Sequence, residues 1–280
     1  MPMGLSQELT EEFCRSLFHE ERSPGTVEKY LRDVSAFAAW LGEREPSREL
    51  TAQWRDELLR GGYAAVTINS MLSGLNAFFR FAGREDCRVK LLRIQRRIFR
   101  SEERELTRAE YERLTDAARR TGRERLALLM EAVCATGIRV SEVKYLTVQA
   151  VRRGQAEISS KGKIRTIFLP PKLCRKLQKY AEKQKIASGE LFLTKSGQSI
   201  SRKQIWAEMK AICKSAGVSA TKVFPHNLRH LFARVYYAAC RDVMKLADLL
   251  GHSSIETTRI YLISTGAEHT RQIERLNLVR

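Results

Sequence analysis

From Ser23 the chain sets apolar side chains at Val27, Tyr30, Leu31, Val34, Phe37, Ala38 and Leu41, a spacing that lines one face of a helix over about five turns. Ser23 and Pro24 supply an N-cap and a proline at the first helical position. The same pattern returns at Ile68, Met71, Leu72, Leu75, Phe78, Phe79 and Ala82, closed by Gly83, with shorter candidates at residues 6–20 and 51–60. Helices with apolar stripes of this width are stable only when they cover one another, so the first third is expected to be a compact four-helix bundle.

Thr107 and Glu110 form a capping-box pattern that opens a second region, with helical spacing at Tyr111, Leu114 and Ala118 and a helix expected to end near Leu146. The period then changes. The segments AEISS and IRTIFLP flank the turn KGK and read as two short strands, either a hairpin or part of a three-stranded sheet with residues 191–194 as the third strand. From Ser201 onward the pattern is helical again. The expected fold is mainly α with a small antiparallel β-sheet: a helical domain at 1–87, a basic interdomain helix or linker at 88–105, and a mixed α/β domain at 106–280.

The formal charge of +18 points to a polyanionic partner, and its placement narrows the choice. Residues 1–87 hold 10 basic and 14 acidic side chains, so the whole excess lies beyond them. It begins in RVKLLRIQRRIFR, residues 88–100, where Arg88, Lys90, Arg93, Arg96, Arg97 and Arg100 have no acidic neighbour within the run. These six are expected to contact a nucleic-acid backbone. An apolar content of 43 % is enough for two cores and argues against disorder.

The 6 cysteines make no C-x-x-C pair and read as thiols of a reducing cytoplasm. The start of the chain lacks a signal-peptide pattern, and the longest apolar stretch, Leu126 to Ile138, is interrupted by Glu131, so no membrane span is expected.

His226 and His230 have the i, i+4 spacing of a helical zinc pair, but Asn227 stands where a zinc protease helix carries Glu, and no metal site is expected. Pro225 can instead start a helix that brings His226 and Arg229 to adjacent turns of one face, with Leu228, Leu231, Phe232 and Val235 on the buried side. An arginine and a histidine exposed together can grip and protonate a phosphate. Further on, Gly251 stops a helix, Ser253 and Glu256 form a capping pair, and Tyr261 rides on the helix that follows.

Taken in order, TGIRVSE around Arg139, SSKGKIRTIFLP around Lys161, HNLRHLFAR around His226 and Arg229, and LGHSSIETTRIY ending at Tyr261 resemble the tyrosine recombinase (phage integrase) family in its Xer-like, simple-site form. The resemblance is strongest over residues 106–262, and SPGTVEKYLRDVSAFAAWL is similar to the family's SAM-like core-binding domain. It implies a C-shaped clamp around duplex DNA and cleavage and rejoining of strands through a 3′-phosphotyrosine, with neither metal, cofactor nor ATP.

By the resemblance Arg139 and Arg229 stabilise the scissile phosphate, and Tyr261 is the nucleophile. Lys161 is the general acid, with Lys163 the alternative because the hairpin is one residue shorter than the family's usual pattern. His226 takes part in proton transfer, His252 hydrogen-bonds a phosphate oxygen, His230 is a structural buried histidine, and Glu142 orients its surroundings. Lys163 and Arg165 join the DNA-contacting set.

The implied partner is double-stranded DNA with paired inverted-repeat sites, bound by a homotetramer assembled from protomers that are monomeric when free. The segment 267–279 is expected to be a helix that docks on a neighbouring protomer or on its own. The absence of 60 to 70 further N-terminal residues argues against a separate arm-binding domain. The alternatives are a non-cleaving DNA-binding regulator on the same fold and a type IB topoisomerase-like enzyme that relaxes DNA.

Overall fold

The computed structural model describes residues 6–94, 102–160, 163–252, 254–261, 270 and 273–276. The chain separates into two compact units, Met1–Arg96 and Arg97–Arg280.

The first unit is the expected bundle: α1 (Gln7–His19), α2 (Pro24–Leu41), α3 (Arg48–Arg60) and α4 (Ala65–Phe81). Ser6 caps α1 by accepting from the Leu9 amide at 3.2 Å, and Ser47 starts α3 in the same way, three residues before the expected start at 51. The apolar stripes meet in an aromatic core. Phe13 stands edge-on to Phe78 with ring centroids 5.3 Å apart, and Phe37 packs against Trp54 and Phe79 at 5.1 and 5.9 Å.

The basic run after this bundle is not helical over residues 88–94. It lies extended along α4 because two asparagines on that helix take over its backbone hydrogen bonds. Asn76 donates to the Val89 carbonyl (2.9 Å) and accepts from the Val89 amide (3.2 Å), and Asn69 does the same for Leu92 (2.9 and 2.7 Å). Val89 is buried, Arg88 pairs with Glu85, and Lys90 and Arg93 face solvent. Arg96, Arg97 and Arg100 lie outside the described residues.

The second unit is built around α6 (Glu124–Thr136), whose Ala127, Leu129, Met130, Ala132 and Val133 are wholly buried. α5 (Arg108–Arg120) precedes it, opened by the Thr107–Glu110 capping box. α6 stops at Thr136 rather than near Leu146, because Gly137 turns the chain left-handed (φ 67°); a 3₁₀ helix, Val140–Tyr145, follows.

After α7 (Val148–Arg153), strands β1 (Gln155–Ser160) and β2 (Lys163–Phe168) pair antiparallel, Gln155 opposite Phe168 and Ser160 opposite Lys163. The sheet has these two strands only among the described residues. Residues 191–194 do not extend it: Leu191 and Phe192 turn into the core, and Glu190 and Leu193 make isolated bridges to Thr147 and Ser199.

The chain continues through α8 (Pro171–Lys183), α9 (Arg202–Ala211), α10 (Cys213–Ala216), α11 (Pro225–Cys240), α12 (Val243–Leu250) and α13 (Ile255–Arg259). Ser254 caps α13 by accepting from the Glu256 amide; Ser253, the expected cap, is outside the described residues. Of the expected helix at 267–279, only 270 and 273–276 are described. Among the described residues no helix is long and apolar enough to cross a membrane.

Candidate active site

Arg139 follows directly from the α6 stop. Gly137 leaves the helix, Ile138 is buried, and Arg139 becomes the N-cap of the 3₁₀ turn, where its amide donates to Glu142 Oε2 at 2.7 Å and its Nη1 to Oε1 at 3.0 Å. Glu142 is 2 % exposed and accepts a second guanidinium, Arg165 on β2, at 2.6 Å. Arg165 also donates to the Leu249 carbonyl at 3.1 Å, so it is committed to the protein interior and is not a free surface cation. A side chain at Gly251 would meet Arg165 at 2.4 Å, which together with a φ of 63° requires glycine there.

α11 carries the second pair. Pro225 opens the helix, Asn227 ties its first turn to the carbonyls of Arg104 and Lys222, and Arg229 points into the core. Arg229 is 1 % exposed. Its acceptors are the Gly137 carbonyl, the Leu250 carbonyl at 2.7 Å and the His252 ring at 2.9 Å, with no carboxylate among these partners. Burial, and next the charge of Arg139, pull its pKa down to about 10, which still leaves it cationic at neutral pH. Arg139 and Arg165 therefore share the carboxylate of Glu142 while Arg229 has no carboxylate among its described partners, a cluster that attracts an anion.

Tyr261 sits just beyond α13, and its side chain is folded inward at 2 % exposure. Its ring lies parallel to that of His252 (5.7 Å, 15°) and edge-on to that of His230 (4.6 Å, 82°). His226 stands 4.6 Å from His230 and 6.3 Å from Tyr261. His230 thus differs from the expected buried structural residue: it is half-buried and wedged between the other histidine and the phenol. Desolvation and then Arg229, Arg139 and Arg202 depress the His226 pKa. Desolvation and then Arg229, Arg139, Arg165 and His226 bring that of His252 to about 4.

Beside these groups opens a cavity of about 880 Å³ lined by Arg139, His226 and Arg229 together with Arg202, Lys203 and Trp206 of α9. The last three were not singled out from the sequence. A half-exposed tryptophan on the first turns of a helix that begins with Arg-Lys was the available signal. Arg139, His226, Arg229, His252 and Tyr261, spread over more than a hundred residues of sequence, thus converge in one place. Lys161 lies outside the described residues, as does the side chain of Lys163. Among the described residues no group of His, Cys, Asp and Glu is assembled to hold a metal ion.

Such a pocket suits an anionic substrate, and comparison with known proteins shows which class of protein uses it. The chain belongs to the phage integrase family: residues 104–268 match the family itself, and residues 10–86 match the phage integrase N-terminal SAM-like domain. It is a tyrosine recombinase, an enzyme of site-specific DNA strand exchange. It is 30 % identical to tyrosine recombinase XerA of Pyrococcus furiosus over 98 % of this chain and 96 % of that one.

The fold is shared with a lambda integrase dimer bound to a COC′ core site (TM-score 0.73, 19 % identity, 91 % of this chain and 94 % of that one). It is shared too with a lambda integrase tetramer bound to a Holliday junction (TM-score 0.72, 20 % identity, 91 % and 76 %).

Proposed function

We propose that Arg139 and Arg229 receive the scissile phosphate of duplex DNA and that Tyr261 attacks it. The observation that carries this reading is the Arg229 guanidinium, buried with no carboxylate among its described partners and bonded to the His252 ring, against which the Tyr261 ring lies. A buried cation of this kind is costly unless an anion joins it, and a phosphate passing to a trigonal-bipyramidal transition state brings additional charge to the same place.

In the proposed step the phenolic oxygen of Tyr261 bonds to phosphorus, the bond to the 5′-oxygen breaks, and a 3′-phosphotyrosine and a 5′-hydroxyl result. The phenolic proton leaves toward His226 or the phosphate, and a lysine of the β1–β2 turn, Lys161 or Lys163, protonates the departing 5′-oxygen. His252 hydrogen-bonds a non-bridging oxygen. Attack by a 5′-hydroxyl of another strand reverses the chemistry, so rejoining needs neither metal nor ATP.

Two duplexes each cut twice require four protomers, and the tetrameric assembly of lambda integrase on a Holliday junction supports a homotetramer on paired inverted-repeat sites. Lys90, Arg93, Arg202 and Lys203 would contact the DNA backbone, in the cytoplasm where the DNA lies.

The test is a nicked duplex bearing a site selected from a random-sequence pool by binding. A covalent adduct on a denaturing gel is expected from the native protein and not from Tyr261→Phe; an adduct that persists in that variant rejects Tyr261 as nucleophile. Exchange of flanks between two marked sites, rather than loss of supercoils alone, separates recombination from topoisomerase activity.

A further inference from the structure

We propose that Thr258 is a positioning residue that fixes His252 in a single tautomer, with the proton on Nδ1 and the lone pair on Nε2, through its buried hydroxyl. The proposal rests on the reading of the site given above and adds to it the atom that decides which ring nitrogen faces the phosphate.

The geometry leaves one assignment for the neutral ring. A guanidinium has donors and no acceptor, so the 2.9 Å contact between Arg229 Nη2 and His252 Nε2 makes Nε2 the acceptor. The ring proton then belongs to Nδ1, which lies 2.9 Å from Thr258 Oγ1. Thr258 is wholly buried, so its hydroxyl oxygen, not water, receives that proton. Without the hydroxyl, an Nδ1–H donor in this position loses its buried acceptor, which weakens the tautomer that the Arg229 contact requires.

The groups that face His252 favour its neutral form: Arg229, Arg139, Arg165 and His226 are cationic or neutral, and the Tyr261 ring lies against it. A phosphate anion entering the cluster draws the Arg229 donors to itself and reverses that balance. Nε2 then takes up one proton from solvent, and the imidazolium donates from Nε2 to a phosphate oxygen and from Nδ1 to Thr258. Because Nδ1 is already protonated, the incoming proton has one place to go.

Thr258 also joins this histidine to the nucleophile. Its carbonyl accepts from the Tyr261 amide at 3.0 Å while its hydroxyl holds His252, so α13 in its docked position sets both groups together.

The test uses ¹⁵N-histidine-labelled full-length protein, with the His252 signals identified by their loss in His252→Gln. At neutral pH the native protein is expected to show Nδ1 protonated and Nε2 unprotonated. Thr258→Ser is expected to retain that pattern, and Thr258→Val to shift the population toward Nε2–H. On a nicked duplex, Thr258→Val is expected to slow covalent adduct formation by about ten- to a hundredfold, the effect of one buried donor left unpaired, with DNA affinity retained and the pH profile displaced. Thr258→Ser is expected to stay close to native.

An Nε2–H ring in the native protein overturns the proposal without any variant. A Thr258→Val protein with an unchanged tautomer, or with a changed tautomer and native cleavage at every pH, overturns it as well. If the native protein forms no adduct with any duplex, the catalytic reading fails while the spectra still decide the tautomer.

Discussion

Glu142 and Arg165 meet at 2.6 Å with side-chain exposures of 2 % and 15 %, an ion pair formed between the 3₁₀ turn after α6 and the strand β2. The same carboxylate also holds Arg139. Removing its charge takes the carboxylate from two guanidiniums beside Arg229, which has no carboxylate among its described partners. Glu142→Gln is therefore expected to destabilise the DNA-free protein by about 3 kcal/mol, measured by urea unfolding, with part of the loss recovered in sulfate or on DNA. Unchanged stability would show that the carboxylate is not what holds this cluster together.

Gly137 gives a steric expectation. A Cβ there would lie 2.4 Å from the Phe232 ring of α11 and sit at a φ of 67°. Gly137→Ala is expected to cost about 2–4 kcal/mol and to displace the carbonyl that Arg229 uses, so DNA cleavage should fall with stability. Phe232→Leu in the same chain is expected to recover a part of the loss, since it relieves the contact and leaves the backbone strain.

The asparagine clasp on α4 is open to proteolysis. Asn76→Ala leaves the amide and carbonyl of Val89 without their partner. The change is expected to cost about 1–2 kcal/mol and to speed tryptic cleavage after Lys90 and Arg93, which mass spectrometry of the early fragments would report. Equal cleavage rates in the two proteins would mean that the clasp does not restrain the run.

Acid should weaken the empty protein through His252. Its folded pKa of about 4 lies below the usual 6.5, so as pH falls the unfolded chain binds the proton first. The stabilisation is present above pH 6.5 and is lost as pH falls from there toward 4, by up to roughly 3 kcal/mol. His252→Asn is expected to flatten this decline in unfolding midpoints measured across the range. His226, depressed in the same direction, will leave a smaller slope in that variant.

The helices were legible because their signals are local. Ser6, Ser47 and Thr107 cap where a hydroxyl precedes an apolar stripe, and the stripes of α2 and α4 meet face to face. The candidate site was legible through motifs: Arg139, His226, Arg229, His252 and Tyr261 stand together. What escaped depends on partners far away in sequence. The role of Asn69 and Asn76 exists only once residues 88–94 return to α4, and Arg165 reads as a DNA-facing cation until Glu142 and Leu249 come near it. His230 shows the limit on one helix: its i, i+4 spacing puts it beside His226, but its contact with Tyr261 comes from an element thirty residues on.

The inward fold of Tyr261 bears on when such an enzyme is hazardous to a genome. A phenol on an open surface meets every phosphodiester that diffuses past. On the proposed reading, one packed among three imidazoles is reached by a phosphate already seated among the arginines, so fidelity is decided at docking, and stray nicks are avoided by seclusion rather than by a sluggish nucleophile.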